Sequence, residues 1–420
     1  MLKYSIMQGA VRSRFWLLLL GLVIVPAGTV AVILFAKGYR PDLAHHGLQP
    51  TGLLVATSYP DAAQIFVDGQ LKSATDTTFN LPPGQYDIEI KKDGYYPWKK
   101  HLTVQAEIVT RATAVLFPTI PTLKAVTSDG ANHPVLSPDG SHLAFFGAGI
   151  NSNNIYTLDL SDSPLGLLNR DSKLITTLPT SSYRLSWSPD SRQILAQATS
   201  SAVLIDPNSS QTTNATDNLS QILKDWTQRQ NIKTEQKFSA LPGKLQPVMA
   251  TAAADLVWSP MENKLLYTAT ASAVLPAEII SPLPGSSTQP QERSLTPGHV
   301  YVYDIEEDRN FYIDNVTPPT PSPKSETKSL PTINSYQPTA INAGWLWFPT
   351  SSHLYRVTAN QVTIEEYDRQ NPVTVYVGPM SEPVAFPYPS AKQMLILANL
   401  NTTPVPSGSA LPQLYAVPLR

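Results

Sequence analysis

The sequence predicts a mainly β protein with an N-terminal transmembrane helix, a small β-sandwich and then a β-propeller. Three observations predict it. An uncharged apolar run fills residues 15–36. Period-two alternation broken by hairpin dipeptides fills residues 52–118. After that, one turn signature recurs between pairs of short apolar runs. Proline supports the same class: 39 residues of 420 is about twice the usual share, which favours strands, turns and connections over helices.

The first element is the membrane span. Phe15 to Ala36 reads FWLLLLGLVIVPAGTVAVILFA. At about 1.5 Å rise per residue this run covers a hydrocarbon core of about 30 Å. Lys3, Arg12 and Arg14 precede it while Lys37 and Arg40 follow, so the positive-inside bias is slight. The rival is a cleavable signal peptide whose apolar stretch ends at Pro26, with cleavage near Ala27-Gly28. The apolar run continues about ten residues beyond that point, which a signal peptide does not need. The expectation is therefore a signal-anchor: residues 1–14 cytoplasmic, 15–36 in the membrane, and the bulk exported. Residues 37–51 then read as a polar spacer. His45-His46 within it lacks a third ligand nearby and reads as a linker pair, not a metal site.

The second element is a compact antiparallel module over residues 52–118. Leu53 to Thr57 opens it, and Gln64-Ile65-Phe66-Val67 runs into Asp68-Gly69, a strong hairpin dipeptide. Leu81-Pro82-Pro83-Gly84 makes the next turn, and Tyr86 to Lys91 alternates apolar with polar. Gly94 to Trp98 turns the chain again before Leu102-Thr103-Val104 and Ile108 to Leu116. Six or so strands in this length suit a small sandwich. Tyr95, Tyr96 and Trp98 could form a sugar-stacking platform, but packing of the core and a sheet edge is the plainer reading.

Four landmarks in this module resemble the PEGA domain: Pro60-Asp61-Ala62-Ala63, where that family has Pro-Glu-Gly-Ala; Ile65 to Gly69; Leu81 to Tyr86; and Asp93-Gly94-Tyr95. The resemblance implies an extracytoplasmic module of a bacterial or archaeal cell surface, with no activity attached to it.

The third element spans residues 124–420. Ser137-Pro138-Asp139-Gly140, Ser188-Pro189-Asp190-Ser191 and Ser259-Pro260-Met261-Glu262 each sit between two apolar runs. Proline presets the first central position of a type I turn, and Asp, Ser or Gly completes it. Each unit reads strand–turn–strand, as propeller blades do. Trp345 to Pro349 and Pro383 to Pro387 begin degenerate fourth and fifth units. The turn prolines at 138, 189, 260, 349 and 387 leave intervals of 51, 71, 89 and 38 residues. Third strands end in acids at Asp159, Asp206 and Asp304. The Ser-Pro-Asp-Gly units resemble the TolB-type repeat, a tryptophan-aspartate-like propeller. That resemblance implies turn-forming roles for Asp139 and Asp190. It also implies a sixth blade beyond the five visible, between Lys124 and His133 or within the third interval.

Insertions account for the long intervals, near 207–250, 275–298 and 316–340. In the first, Leu219, Ile222, Leu223 and Trp226 fall at helical spacing after Asn218 as a cap, which predicts an amphipathic helix packed on the propeller. The other two are rich in Pro, Ser and Thr and read as flexible surface loops.

Chemistry-bearing motifs are missing. There is no G-x-S-x-G, H-E-x-x-H, P-loop or G-x-G-x-x-G. The chain has no cysteine, which excludes disulfides, thiolate metal sites and Cys nucleophiles. A net charge of −2 gives no electrostatic case for nucleic acid. Glu306-Glu307-Asp308 and Glu365-Glu366 lie at strand ends and read as solvated charges, and His133, His142 and His353 sit beside turns. The sequence thus offers no catalytic, cofactor-binding or metal residues, and no cofactor. The expectation is a non-enzymatic, single-pass protein of a bacterial membrane, with a PEGA stalk presenting a propeller that binds an envelope protein or polysaccharide. A purely structural envelope spacer is one alternative. A propeller hydrolase or lyase with a channel active site is the other.

Overall fold

The computed structural model describes residues 2–42, 47–161, 171–180, 182–281, 283, 285–316, 341–400 and 411–420. Backbone proximity divides the chain into two units. The first is Met1–Lys91, Trp98–Val115 and Leu283–Thr288; the second is Lys92–Pro97, Leu116–Pro282 and Gln289–Arg420. The pair His45-His46, most of the insertion 316–340 and residues 401–410 lie outside the described residues.

The first unit opens with helix α1, Leu2–Ala36. Pro26 sits inside it, and the Thr29 hydroxyl donates to the Val25 carbonyl at 2.8 Å one turn back. Leu19–Ala36 has a mean hydropathy of 2.6 and none of it is buried. The helix stops at Gly38, whose φ of 91° is the left-handed conformation glycine adopts freely. Gly38 N–H donates to Phe35 and Tyr39 N–H to Leu34, so two end carbonyls are satisfied.

Two sheets follow. In one, Gly52–Tyr59 is central, antiparallel to Thr77–Leu81 and parallel to Val109–Val115. In the other the order is Gln70–Ala74, Gln64–Val67, Gly84–Lys91, Trp98–Val104, all antiparallel. Alternate residues are buried: Leu54 and Ala56, Ile65 and Val67, Ile88 and Ile90, Leu102 and Val104, Ala112 and Ala114. That is the one-face-wet pattern read from the sequence. Asp68 and Gly69 both have positive φ, as the tight hairpin they predicted requires.

The second unit carries five four-stranded antiparallel sheets. The first is Asn132–Leu136, His142–Phe146, Asn154–Asp159 and Lys173–Thr177; the second is Arg184–Trp187, Ile194–Gln197, Ala202–Ile205 and Thr212–Asn214. The third is Ala253–Trp258, Lys264–Ala269, His299–Asp304 and Arg309–Asn315; the fourth is Trp345–Trp347, His353–Val357, Gln361–Glu366 and Val373–Val377. The fifth takes Ala385–Pro387, Gln393–Ala398 and Gln413–Pro418, and its fourth strand is Lys124–Ala125 from the other end of the unit. All five visible repeats therefore become sheets. Among the described residues the places suggested for a sixth hold only Lys124–Ala125 and a two-stranded hairpin, Ala273–Val274 with Ser294–Leu295.

Middle strands are buried on both faces, which is why they read as unbroken apolar runs; Lys264–Ala269 is buried throughout. Leu143 and Phe145 meet Phe386, Leu395 and Leu397 of the fifth sheet, while Ala144 and Phe146 meet Leu185, Trp187 and Ile194 of the second. Leu266, Val302 and Phe311 meet Trp345, Trp347 and Leu354 of the fourth. The second and third sheets differ. Between them come helices α2, Leu219–Ser239, and α3, Gln246–Ala252. Leu219, Leu223 and Trp226 pack on Leu195 and Ala202 of the second sheet, as the helical spacing predicted. Leu245, Met249 and Ala252 pack on Leu265, Tyr267 and Tyr301 of the third. Asn218 makes no side-chain cap, and α2 runs on to Ser239, well past the spaced apolar residues that predicted it.

Candidate functional site

The Ser-Pro turns build one continuous rim. Ser137 Oγ donates to Asp139 Oδ1 at 2.6 Å and accepts from His142 N–H at 2.9 Å. Ser188 repeats this with Asp190 at 2.6 Å and Gln193 N–H at 2.9 Å. Ser259 keeps the backbone half with Lys264 N–H but turns its hydroxyl to Asn263, since Met261 offers no carboxylate. Burial pushes the Asp139 and Asp190 carboxyls up, but the serine hydroxyls and turn N–H groups outweigh it and hold both below their usual range. These acids form the turns, as the repeat implied.

Neighbouring turns are joined. Asp139 N–H donates to Ser191 Oγ at 3.1 Å, and Met261 N–H to Ser351 Oγ at 2.9 Å. Across the gap between the second and third sheets, α2 reaches both turns: Arg229 stands 3.9 Å from Asp190, and Lys237 is 2.7 Å from Glu262. One edge of the unit thus gathers side chains from four sheets and a helix. Met261 is 72% exposed on it and Ile232 of α2 is 47% exposed. A surface assembled from several elements is what recognition of a large ligand needs.

Several other charged groups are turned inward. Contrary to the sequence expectation of solvated charge, Asp308, Glu365 and Glu366 are buried, and only Glu306 of the first run is exposed. Asp308 accepts from Tyr303 Oη at 2.7 Å, Ile279 N–H at 2.9 Å and Arg293 Nη2 at 2.9 Å. Arg293 also donates to the carbonyls of Pro276 and Asp308. This network holds the insertion near 275–298 at Pro276, Ile279 and Arg293, and Leu275, Gln289 and Leu295 are buried, so these positions are packed where composition suggested a loose loop. Lys264 pairs with Asp304 at 3.2 Å with both side chains buried, its ammonium 4.7 Å from the Tyr367 ring.

A third group lies between the third and fourth sheets. Arg356 Nη1 is 2.6 Å from Asp314 Oδ2, which also accepts from Trp345 Nε1 at 3.1 Å, and the guanidinium stacks 4.6 Å from the Trp345 ring. Glu365 is buried beside this pair with Oε1 lacking any hydrogen bond. Burial pushes its carboxyl up to about 7, against the pull of Arg369 and Arg356. A charged residue inside an otherwise apolar strand, as with Arg356 and Lys264, is the one sequence signal for these groups.

The aromatic trio does not form a platform: Trp98 is 3% exposed in the sandwich core, while Tyr95 and Tyr96 are half-buried. His353 is buried with Nδ1 near the Thr350 and Ser352 hydroxyls, and His133 faces Glu382 at 3.1 Å. Among the described residues no group of three or more His, Asp and Glu could hold a metal ion.

Residues 51–120 match the PEGA domain family. Among solved structures the chain is similar to TolB from Acinetobacter baumannii, at 13% identity and a TM-score of 0.21, covering 79% of this chain and 59% of that one. It is also similar to a chain assigned as TolB from Agrobacterium tumefaciens, at 11% identity and a TM-score of 0.19, covering 89% of this chain and 100% of that one. No curated protein matches it.

Proposed function

We propose that this chain is a membrane-anchored, extracytoplasmic recognition protein that binds an envelope protein or polysaccharide without turning it over. In this reading α1 stays in the bilayer and the PEGA domain acts as a stalk. The five sheets are the blades of a propeller clasped by Lys124–Ala125, with α2 and α3 in a sixth place. The observation that carries it is the rim of turns: side chains from four sheets and α2 meet there, with Met261 and Ile232 open to solvent. The inward ion pairs Lys264–Asp304 and Arg293–Asp308 are matched within the chain.

The test is calorimetry on the full-length protein in nanodiscs, with product analysis, against fractionated envelope polysaccharides and extracted membrane proteins. The expected result is saturable binding that yields no new products and is lost in Met261→Glu. With charged residues at only 15%, affinity should vary weakly with salt. Turnover that survives repurification would replace this reading with an enzyme, and no binding to any fraction would leave a structural spacer.

A further inference from the structure

The segment between α1 and the sandwich is built as a joint. Three separate parts of the sandwich converge on residues 37–40, which directly follow the helix end at Ala36. Thr51, just before the first strand, donates through both its N–H, at 3.2 Å, and its hydroxyl to the Gly38 carbonyl. Asn80, on Thr77–Leu81, donates to the Thr51 hydroxyl at 2.8 Å and accepts from Arg40 Nη2 at 3.4 Å. Glu107, in the turn before Val109–Val115, donates its N–H to the Thr51 carbonyl at 3.0 Å, takes the Tyr39 hydroxyl as a hydrogen-bond partner, and stands 4.0 Å from Lys37 Nζ.

Arg40 closes the arrangement. Its Nη1 donates to the Phe35 carbonyl at 3.0 Å and to the Tyr39 carbonyl at 3.2 Å, and its guanidinium lies 4.0 Å from the Phe35 ring. A cation on the final carbonyls satisfies acceptors the helix cannot pair internally and complements its dipole. The fit leaves little slack. A Cβ on Gly38 would come within 3.2 Å of Thr51 Oγ1, and one on Gly52 within 2.3 Å of the Gln105 carbonyl. Arg40–Asp42 also pairs with Gly47–Gln49 as a short hairpin. A tether needs none of these contacts, because a flexible polar linker keeps its entropy by making few.

We propose that residues 37–40, held by Thr51, Asn80 and Glu107, form a rigid joint, so that α1 and the sandwich move as one lever and a tilt or rotation of the helix in the bilayer is carried directly into the sandwich. The proposal rests on the reading that α1 is retained. Because the chain has no cysteine, introduced pairs can be spin-labelled without background. The full-length protein in nanodiscs would carry labels at Val32→Cys and Lys72→Cys, with Lys72→Cys and Arg111→Cys as a reference pair inside the sandwich. Pulsed dipolar spectroscopy should give a Val32–Lys72 distribution as narrow as the reference. Arg40→Gln combined with Thr51→Val should widen it at least twofold and leave the reference unchanged. Should that variant disturb the reference, a Gly-Ser-Gly-Ser insertion between Ala36 and Lys37, which leaves every sandwich residue in place, decides by the same widening. A broad distribution in the intact parent chain, or no widening in the variants, would overturn the lever alone. A mature chain whose mass shows loss of the residues up to about Ala27 would overturn the anchor reading and the lever with it.

Discussion

Glu365 is the residue whose chemistry departs furthest from what its position in the sequence implies. A carboxylate at a strand end is normally solvated, yet here the group is buried beside the Asp314–Arg356 pair with one oxygen unpartnered. Its carboxyl titrates at about 7 in the folded protein against 4.5 when exposed, so folding takes up a proton between those values. Stability is therefore highest below about pH 4.5 as far as this group is concerned, falls as pH rises toward 7, and stays lower above it. The loss amounts to up to about 3 kcal/mol. Glu365→Gln keeps the shape and removes the proton. Subtracting its denaturant-derived stability from that of the parent across pH 4 to 8 should leave this slope, and a flat difference would show that Glu365 does not titrate there. Sequence reading could not find this site, because its members come from Arg309–Asn315, Trp345–Trp347, His353–Val357 and Gln361–Glu366 and meet only through sheet packing. The turn acids are the opposite case: Ser137 and Asp139 lie two residues apart, and local spacing was enough.

At the scale of elements, the strands with apolar periodicity were legible and those without it were not. Gln70–Ala74 and Thr77–Leu81 escaped notice because they are polar edge strands, with only Leu81 buried among their residues. The first four turns of α2 were legible from Leu219, Leu223 and Trp226, whereas its exposed later half and the seven-residue α3 carry no amphipathic repeat. Trp187, Trp258 and Trp347 show where register stops predicting burial. All three end the first strand of a sheet and pair at the same place, with Ile194, Leu265 and Leu354. Trp187 donates its indole N–H to the Val135 carbonyl and Trp347 to the Val257 carbonyl, both at 2.9 Å, on the preceding sheet. Trp258 is only half-buried, because the helical pair stands on that side and Lys237 lies 6.0 Å from its ring. Trp187→Ala should accordingly cost about 3–5 kcal/mol through lost burial and a cavity. Trp258→Ala should cost roughly half as much. Equal losses in urea titrations would mean that the helices seal the third sheet as tightly as another sheet would.

For the whole molecule, the two segments read best from sequence were those with a short-range code: the unbroken apolar run of α1 and the turn-and-strand landmarks of the PEGA domain. The order in which sheets adjoin was not legible, since each pairing is fixed by residues far apart in the chain. The topology proposed here makes a direct prediction. Protease added to intact spheroplasts should digest the bulk of the chain after Ala36 and leave a membrane-embedded fragment containing α1. Full protection until lysis would place that bulk in the cytoplasm instead.

Lys124–Ala125 has a bearing on biogenesis. This two-residue strand pairs with Gln413–Pro418, Lys124 lying opposite Ala416 and Ala125 opposite Tyr415. The first sheet likewise leaves Leu143 and Phe145 waiting for Phe386, Leu395 and Leu397. If the chain is exported N-terminus first, as proposed, those early surfaces stay uncovered until Phe386, Leu395, Leu397 and Gln413–Pro418 have followed. On that reading the apolar strands of the first sheet are open to aggregation during the interval.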